Sequence, residues 1–201
     1  QLLQHFLECM ESFKDPKTTI KDINLIDAVA ANQPSLASLT EDEPTTLHGL
    51  FERQVSIVPE AVAVVYKDKK WSYAEIDSFA SAIAFVLQED YDVSAGDRVA
   101  IMTEKSDETI IGILAVLKLG ATYIPVDPNY PAERVNYILK DASFKCLLIN
   151  ADISEEVNLA RQRPVLLDSQ IAAIEEDSER VYDKDYNVEN VAYIIYTSGS
   201  T

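Results

Sequence analysis

Histidine, cysteine and basic residues are the scarce commodities in this 201-residue chain, and each scarcity removes a class of function. Two cysteines, Cys9 and Cys146, lie too far apart to form a disulfide framework or a thiolate metal site. Cys146 falls within the apolar run Phe144–Ile149 and reads as a small core residue. The two histidines, His5 and His48, stand alone, so no ligand cluster forms and no metal residue is assigned. Lysine and arginine number 17 against 34 acidic residues, a net charge of −17. Nucleic acid and anionic membranes need clustered cations, so the charge argues against both as partners. The chain has no basic segment leading into an apolar leader and no apolar run long enough to span a bilayer, which makes the cytoplasm the expected location. The P-loop pattern Gly-x-x-x-x-Gly-Lys-Ser/Thr is missing, and no Ser/His/Asp or Cys/His arrangement stands out.

What is present is a 47% hydrophobic content, enough for a sizeable core, distributed in two regimes. Residues 1–15 form an amphipathic helix with Leu2, Leu3, Phe6, Leu7, Met10 and Phe13 on one stripe, stopped by Pro16. Residues 16–45, rich in Asp, Glu, Thr, Ser and Pro, read as a linker with one short helix at Leu25–Ala31. From Thr46 the pattern becomes regular. Thr46 is placed to cap a helix through Val55, ending before Pro59. Ala61–Tyr66, a turn at Asp68–Lys70 and a strand to Ser72 form a hairpin. Ser72 and Glu75, three apart, form a capping box for the next helix, which makes Glu75 a cap partner rather than a catalytic acid.

Strand and helix then alternate: strand Arg98–Met102, helix Ser106–Leu119 stopped by Gly120, strand Thr122–Val126, and a helix from Pro131 to about Lys140. Strand Lys145–Ile149, helix Ser154–Arg161, strand Pro164–Leu167 and a helix from Asp168 to Ala173 follow. The acidic stretch Glu175–Glu189 reads as a loop or weak helix, and Val191–Tyr196 as the last strand. This alternation implies an α/β fold with a mainly parallel sheet covered by helices on both faces.

Ligands of such sheets bind beyond the carboxyl ends of the strands. Thr197-Ser198-Gly199-Ser200-Thr201 leaves one of those ends with four hydroxyls, five backbone N–H groups and one glycine. Two readings of these five residues stand: a phosphate-gripping loop, with a hydroxyl free to orient magnesium, or a plain polar surface turn. Arg134, after Pro131, is either an anion ligand or a solvated or ion-paired surface cation.

Three segments in order, Trp71–Ile76, Leu117–Asp127 and Ala192–Thr201, resemble the early core motifs of the adenylation domains of nonribosomal peptide synthetases, in the adenylate-forming superfamily. Leu47–Glu52, Pro59–Val64 and Tyr130–Arg134 resemble the same family, so the likeness runs from residue 46 to 201. Residues 1 to about 31 look like the closing helix and tail of a condensation domain. The resemblance implies part of an adenylate-forming N-terminal subdomain, preceded by an amphipathic helix (1–15) and an interdomain linker (16–45).

It also implies ATP, Mg2+ and an amino acid as reactants, followed by transfer to the phosphopantetheine thiol of a carrier-protein domain. By position, Thr197, Ser198, Gly199, Ser200 and Thr201 match the start of the family's glycine-rich phosphate loop. The Gly-x-Pro-Lys-Gly continuation, the amino-acid pocket and the catalytic lysine are expected beyond residue 201, so no catalytic residue is assigned and the fragment alone is expected to be inactive. Gln1 in place of Met also points to a piece of a longer protein. Trp71 and Leu119 depart from the family, which usually has an aliphatic residue and alanine there. Two other readings stand beside this one: a non-catalytic docking or scaffold fragment, and an adenylate-forming ligase for an aryl or fatty acid.

Overall fold

Strand β3 (Arg98–Met102) organises the fold: it is the first strand of the parallel sheet in the chain and lies inside it, with a neighbour on either side. In the computed structural model, which describes residues 46–150, 164–174, 182 and 187–197, β3 pairs in parallel with β4 (Thr122–Pro125) and β5 (Cys146–Ile149). β6 (Pro164–Leu166) pairs in parallel with β5, giving the order β4-β3-β5-β6. A separate antiparallel hairpin joins β1 (Val62–Tyr66) to β2 (Lys69–Ser72). Five helices accompany these strands among the described residues: α1 (Leu47–Ile57), α2 (Tyr73–Tyr91), α3 (Asp107–Lys118), α4 (Ala132–Asp141) and α5 (Leu167–Ala173). The chain divides into two units at Glu43 and Pro44, and all described residues belong to the second. The expected helices at 1–15, 25–31 and 154–161, and most of the acidic stretch 175–189, lie outside the described residues.

Alternation along β3 and β5 sends their side chains to two cores. Val99, Ile101, Cys146 and Leu148 face a cluster built from α2, α3, α5 and the hairpin. Ala100, Met102, Leu147 and Ile149 face Val135, Ile138 and Leu139 of α4. The expected parallel sheet covered on both faces is therefore observed. Gly112 allows α3 to lie close on the first face: a Cβ there would stand 3.2 Å from both Leu148 Cδ1 and Leu167 Cδ1.

Local chemistry sets the helix ends. Thr46 Oγ1 accepts from Gly49 N at 3.0 Å, and Ser72 and Glu75 complete the anticipated capping box, Ser72 N donating to Glu75 Oε2 at 2.6 Å. α3 ends in a Schellman motif, with Gly120 at φ 66, Gly120 N donating to Leu117 O and Ala121 N to Val116 O.

Four expectations need correction. The hairpin turn sits at Lys67–Asp68, one residue early, and Lys67 takes the left-handed conformation (φ 53). Pro131 is the N-cap of α4 rather than its first residue, with ψ 138 outside the helical range. Asp168 lies inside the first turn of α5, whose N-cap is Leu166. Val191–Tyr196 does not form a strand: it makes a single parallel bridge, Tyr193 to Tyr123 of β4. Tyr123 N donates to Ala192 O and Ile194 N to Tyr123 O, both at 3.1 Å. The next donor along β4 would be the nitrogen of Pro125, which carries no hydrogen, so the ladder stops there.

Candidate functional site at the carboxyl rim of the sheet

Loops leaving β3, β4 and β5 diverge because α3 returns on one face of the sheet and α4 on the other. Between them opens a cleft of about 950 Å³. Thr103–Thr109 supply one wall, Pro125–Tyr130 the other, and Asn150, Ile195 and Tyr196 close it, with Tyr66 and Lys67 of the hairpin at its mouth. A cleft of this size at this end of a parallel sheet is what a nucleotide-sized ligand requires.

Glu104 ties the three loops together. Its backbone N donates to Asn150 Oδ1 (3.2 Å), its carbonyl accepts from Thr109 Oγ1 (3.0 Å), and its carboxylate accepts from Asn129 Nδ2 (3.1 Å). Asn150 Nδ2 also donates to Glu108 Oε2 at 3.4 Å, and Asn129 N to Asp127 Oδ1 at 2.9 Å. Nothing in the sequence singled out Glu104, because its partners come from three separate strand ends. Among the described residues no group of three or more His, Cys, Asp and Glu side chains is arranged to hold a metal ion.

Within this wall, Asp107 is buried and accepts from Trp71 Nε1 at 2.6 Å. The Trp71 ring packs edge-on against Phe79 (centroids 5.1 Å apart), and Lys69 Nζ lies 3.7 Å over it. The departure at Trp71 is thus satisfied by a partner that accepts its N–H.

The chain reaches the cleft at Ile195 and Tyr196 and leaves it at Thr197, which is exposed. Thr197 is the next residue in the chain and is not itself part of the cleft lining. Ser198, Gly199, Ser200 and Thr201 lie outside the described residues. Tyr196 OH donates to Asp141 Oδ2 at 2.6 Å. Burial, then the Asp141 carboxylate, push the phenol up to about 12, so it stays protonated and donating. The Arg134 guanidinium stacks 4.6 Å from the Tyr130 ring centroid. Glu75 is confined to its capping box.

The pattern of AMP-binding enzymes matches residues 51–201. The chain belongs to that family. Bacitracin synthase 3 of Bacillus licheniformis is 38% identical over 198 residues, covering 95% of this chain and 3% of that protein. Gramicidin S synthase 2 of Brevibacillus brevis is 34% identical over 206 residues, covering 100% of this chain and 4% of that one. The chain thus spans a small fraction of the curated relatives it matches. Among solved structures, the N-terminal subdomain of Klebsiella oxytoca NpsA, in complex with 3-hydroxybenzoyl-AMSN, superposes with a TM-score of 0.68 at 26% identity. That match covers 81% of this chain and 40% of the subdomain. These likenesses bear out the resemblance to the adenylation domains of peptide synthetases, and the fold is that of an adenylate-forming N-terminal subdomain.

Proposed function

We propose that the protein carrying this chain activates an amino acid in peptide synthesis. The substrate carboxylate attacks the α-phosphorus of ATP, the bond from that phosphorus to the bridging oxygen breaks, and pyrophosphate leaves with the aminoacyl adenylate retained. The acyl group then passes to the phosphopantetheine thiol of a carrier-protein domain, releasing AMP. The observation that supports this reading is the cleft at the carboxyl ends of β3, β4 and β5, lined by Ile195 and Tyr196 immediately before Thr197. Thr197, Ser198, Gly199, Ser200 and Thr201 would grip phosphate oxygens through backbone N–H groups and hydroxyls, compensating charge during in-line attack. The cleft walls carry Glu104, Glu108 and Asp127, which repel a bare triphosphate and favour ATP arriving with Mg2+. No described residue is given an acid–base role.

Residues 1–15 and 16–45 would then be the closing helix of an upstream condensation domain and its linker. Among the described residues no helix is long and apolar enough to cross a membrane; the proposed reaction is placed in the cytoplasm because it consumes ATP. A second reading keeps the chemistry and changes the acid: the NpsA subdomain of similar fold binds a hydroxybenzoyl compound, which favours an aryl acid.

ATP–pyrophosphate exchange by the native full-length protein, across amino acids and aryl acids, tests both. Exchange with one amino acid and a native mass far above 22.4 kDa supports the first reading, and exchange with an aryl acid alone supports the second. A native mass equal to this chain with no exchange would overturn both and leave a docking or scaffold role.

A further inference from the structure

The segment that leads to Thr197 loses its backbone support early. Its ladder with β4 ends at Ile194, because Pro125 has no N–H to offer the next position. Two residues later Tyr196 makes a side-chain bond instead, to Asp141 at 2.6 Å, while its ring packs against the apolar cluster under α4.

Asp141 is placed oddly for any other purpose. It is the last residue of α4, where the helix dipole disfavours a carboxylate and favours a cation such as the neighbouring Lys140. Its backbone position is nevertheless fixed. Arg98 Nη1 donates to Ala142 O at 3.1 Å, Ala142 N to Ile138 O at 2.9 Å, and Lys145 N to Arg98 O at 2.8 Å. The helix end is clamped to the amino end of β3 and the approach to β5, the two central strands. A carboxylate held there is a fixed post for a phenol arriving from the far edge.

We propose that the Tyr196–Asp141 hydrogen bond anchors the entry to the Thr197–Thr201 loop and so sets the affinity for ATP, making both side chains positioning residues. This rests on the reading of Thr197–Thr201 as the phosphate loop. The bond joins an exposed carboxylate to a half-buried phenol, so the domain is expected to stay folded without it. Tyr196→Phe keeps the ring in its packing and removes only the donor. Asp141→Ala removes the acceptor, and Asp141→Asn restores an acceptor oxygen without the charge.

The experiment is ATP–pyrophosphate exchange by the native full-length protein, with hydrogen exchange of residues 193–201 followed on the same samples. Tyr196→Phe and Asp141→Ala are each expected to raise the KM for ATP about 5- to 10-fold, the net loss expected for one typical hydrogen bond at a solvent-accessible site. The KM for the carboxylic acid and kcat should change little. The double variant should be no worse than either single one, and Asp141→Asn should recover most of the ATP affinity. A purely structural role would instead lower kcat and thermal stability at unchanged KM, and would overturn the proposal. An active wild type whose variants keep its KM for ATP would also overturn it while leaving the proposed function standing. If the wild type shows no exchange with any acid, the functional reading fails. The anchor is then judged by hydrogen exchange: faster exchange of 193–201 in both single variants supports it, and unchanged exchange overturns it.

Discussion

The two ends of the parallel sheet treat charge in opposite ways. At the amino end, where α3 finishes, the Lys118 side chain is 1% exposed and held between Glu52 of α1 (2.6 Å) and Asp77 of α2 (2.8 Å). Burial opposes its charge, but Asp77 and Glu52 outweigh that and hold the ammonium well above its ordinary range. At the carboxyl end, Glu104, Asn129 and Asp127 are exposed, and they bond loop to loop around open space. One end fastens three helices around a buried cation. The other leaves its polar groups wet and available, which is what a ligand-binding rim needs. The contrast shows why charged residues in neighbouring motifs of one family have unrelated duties.

The sharpest way to break this contrast is to remove the buried cation. Lys118→Met leaves Glu52 and Asp77 facing each other without it. A loss of about 3 kcal/mol is expected in denaturant unfolding, the low end for a broken buried pair because both carboxylates are partly exposed. Neutralising the pair as well, with Glu52→Gln and Asp77→Asn, should recover part of the loss. Next in size is Trp71→Leu, the residue type usual in the family, which strips Asp107 of its donor and opens space beside Phe79. A loss of about 2 kcal/mol is expected, smaller when Asp107 is also made apolar, and a double-variant cycle measures the coupling. Gly112→Ala gains helix propensity but presses on Leu148 and Leu167, so a net loss of under about 1 kcal/mol should appear in thermal unfolding.

Smallest is Asp97→Asn, at the surface between the ends of α2 and β3. Burial raises the Asp97 carboxyl, but Lys145 at 3.0 Å and the Ser94 donors bring it below its ordinary value. The stability it contributes is therefore present above the ordinary carboxylate pKa of about 3.9 and is lost as the pH falls below it. Asp97→Asn should cost under about 0.5 kcal/mol at neutral pH and flatten the acid limb of an unfolding-versus-pH curve.

Elements governed by local rules were legible from the residues alone. Arg98–Met102 forms the strand expected of it, Ser72 and Glu75 make their box, and Gly120 takes the left-handed position that stops α3. Errors arose where a local signal competed with tertiary geometry. Pro131 and Asp168 both suit a helix start, yet the chain direction entering α4 and α5 shifted each by one or two positions. Val191–Tyr196 has a strand's composition, but pairing depends on the partner's N–H, and Pro125 denies it. The strand order, the burial of Lys118 and the partnership of Trp71 with Asp107 depend on contacts across dozens of residues, which no periodicity encodes. The candidate loop is legible from position and residue type, whereas Glu104 and Asn150 come together only where the strand ends meet, and Asp141 meets Tyr196 only once α4 packs on the sheet.

The inner place of β3 also has a consequence during synthesis. Both strands that pair with it come later in the chain, β5 about 50 residues after it. At roughly 5–20 residues per second, the ribosome leaves an apolar strand with two open edges for several seconds before its neighbours exist. Until then Val99 and Ile101 have α1, α2 and the hairpin to pack against, whereas Ala100 and Met102, on the other face, wait for α4. The nascent chain is therefore most in need of chaperones in the interval between residues 102 and 149.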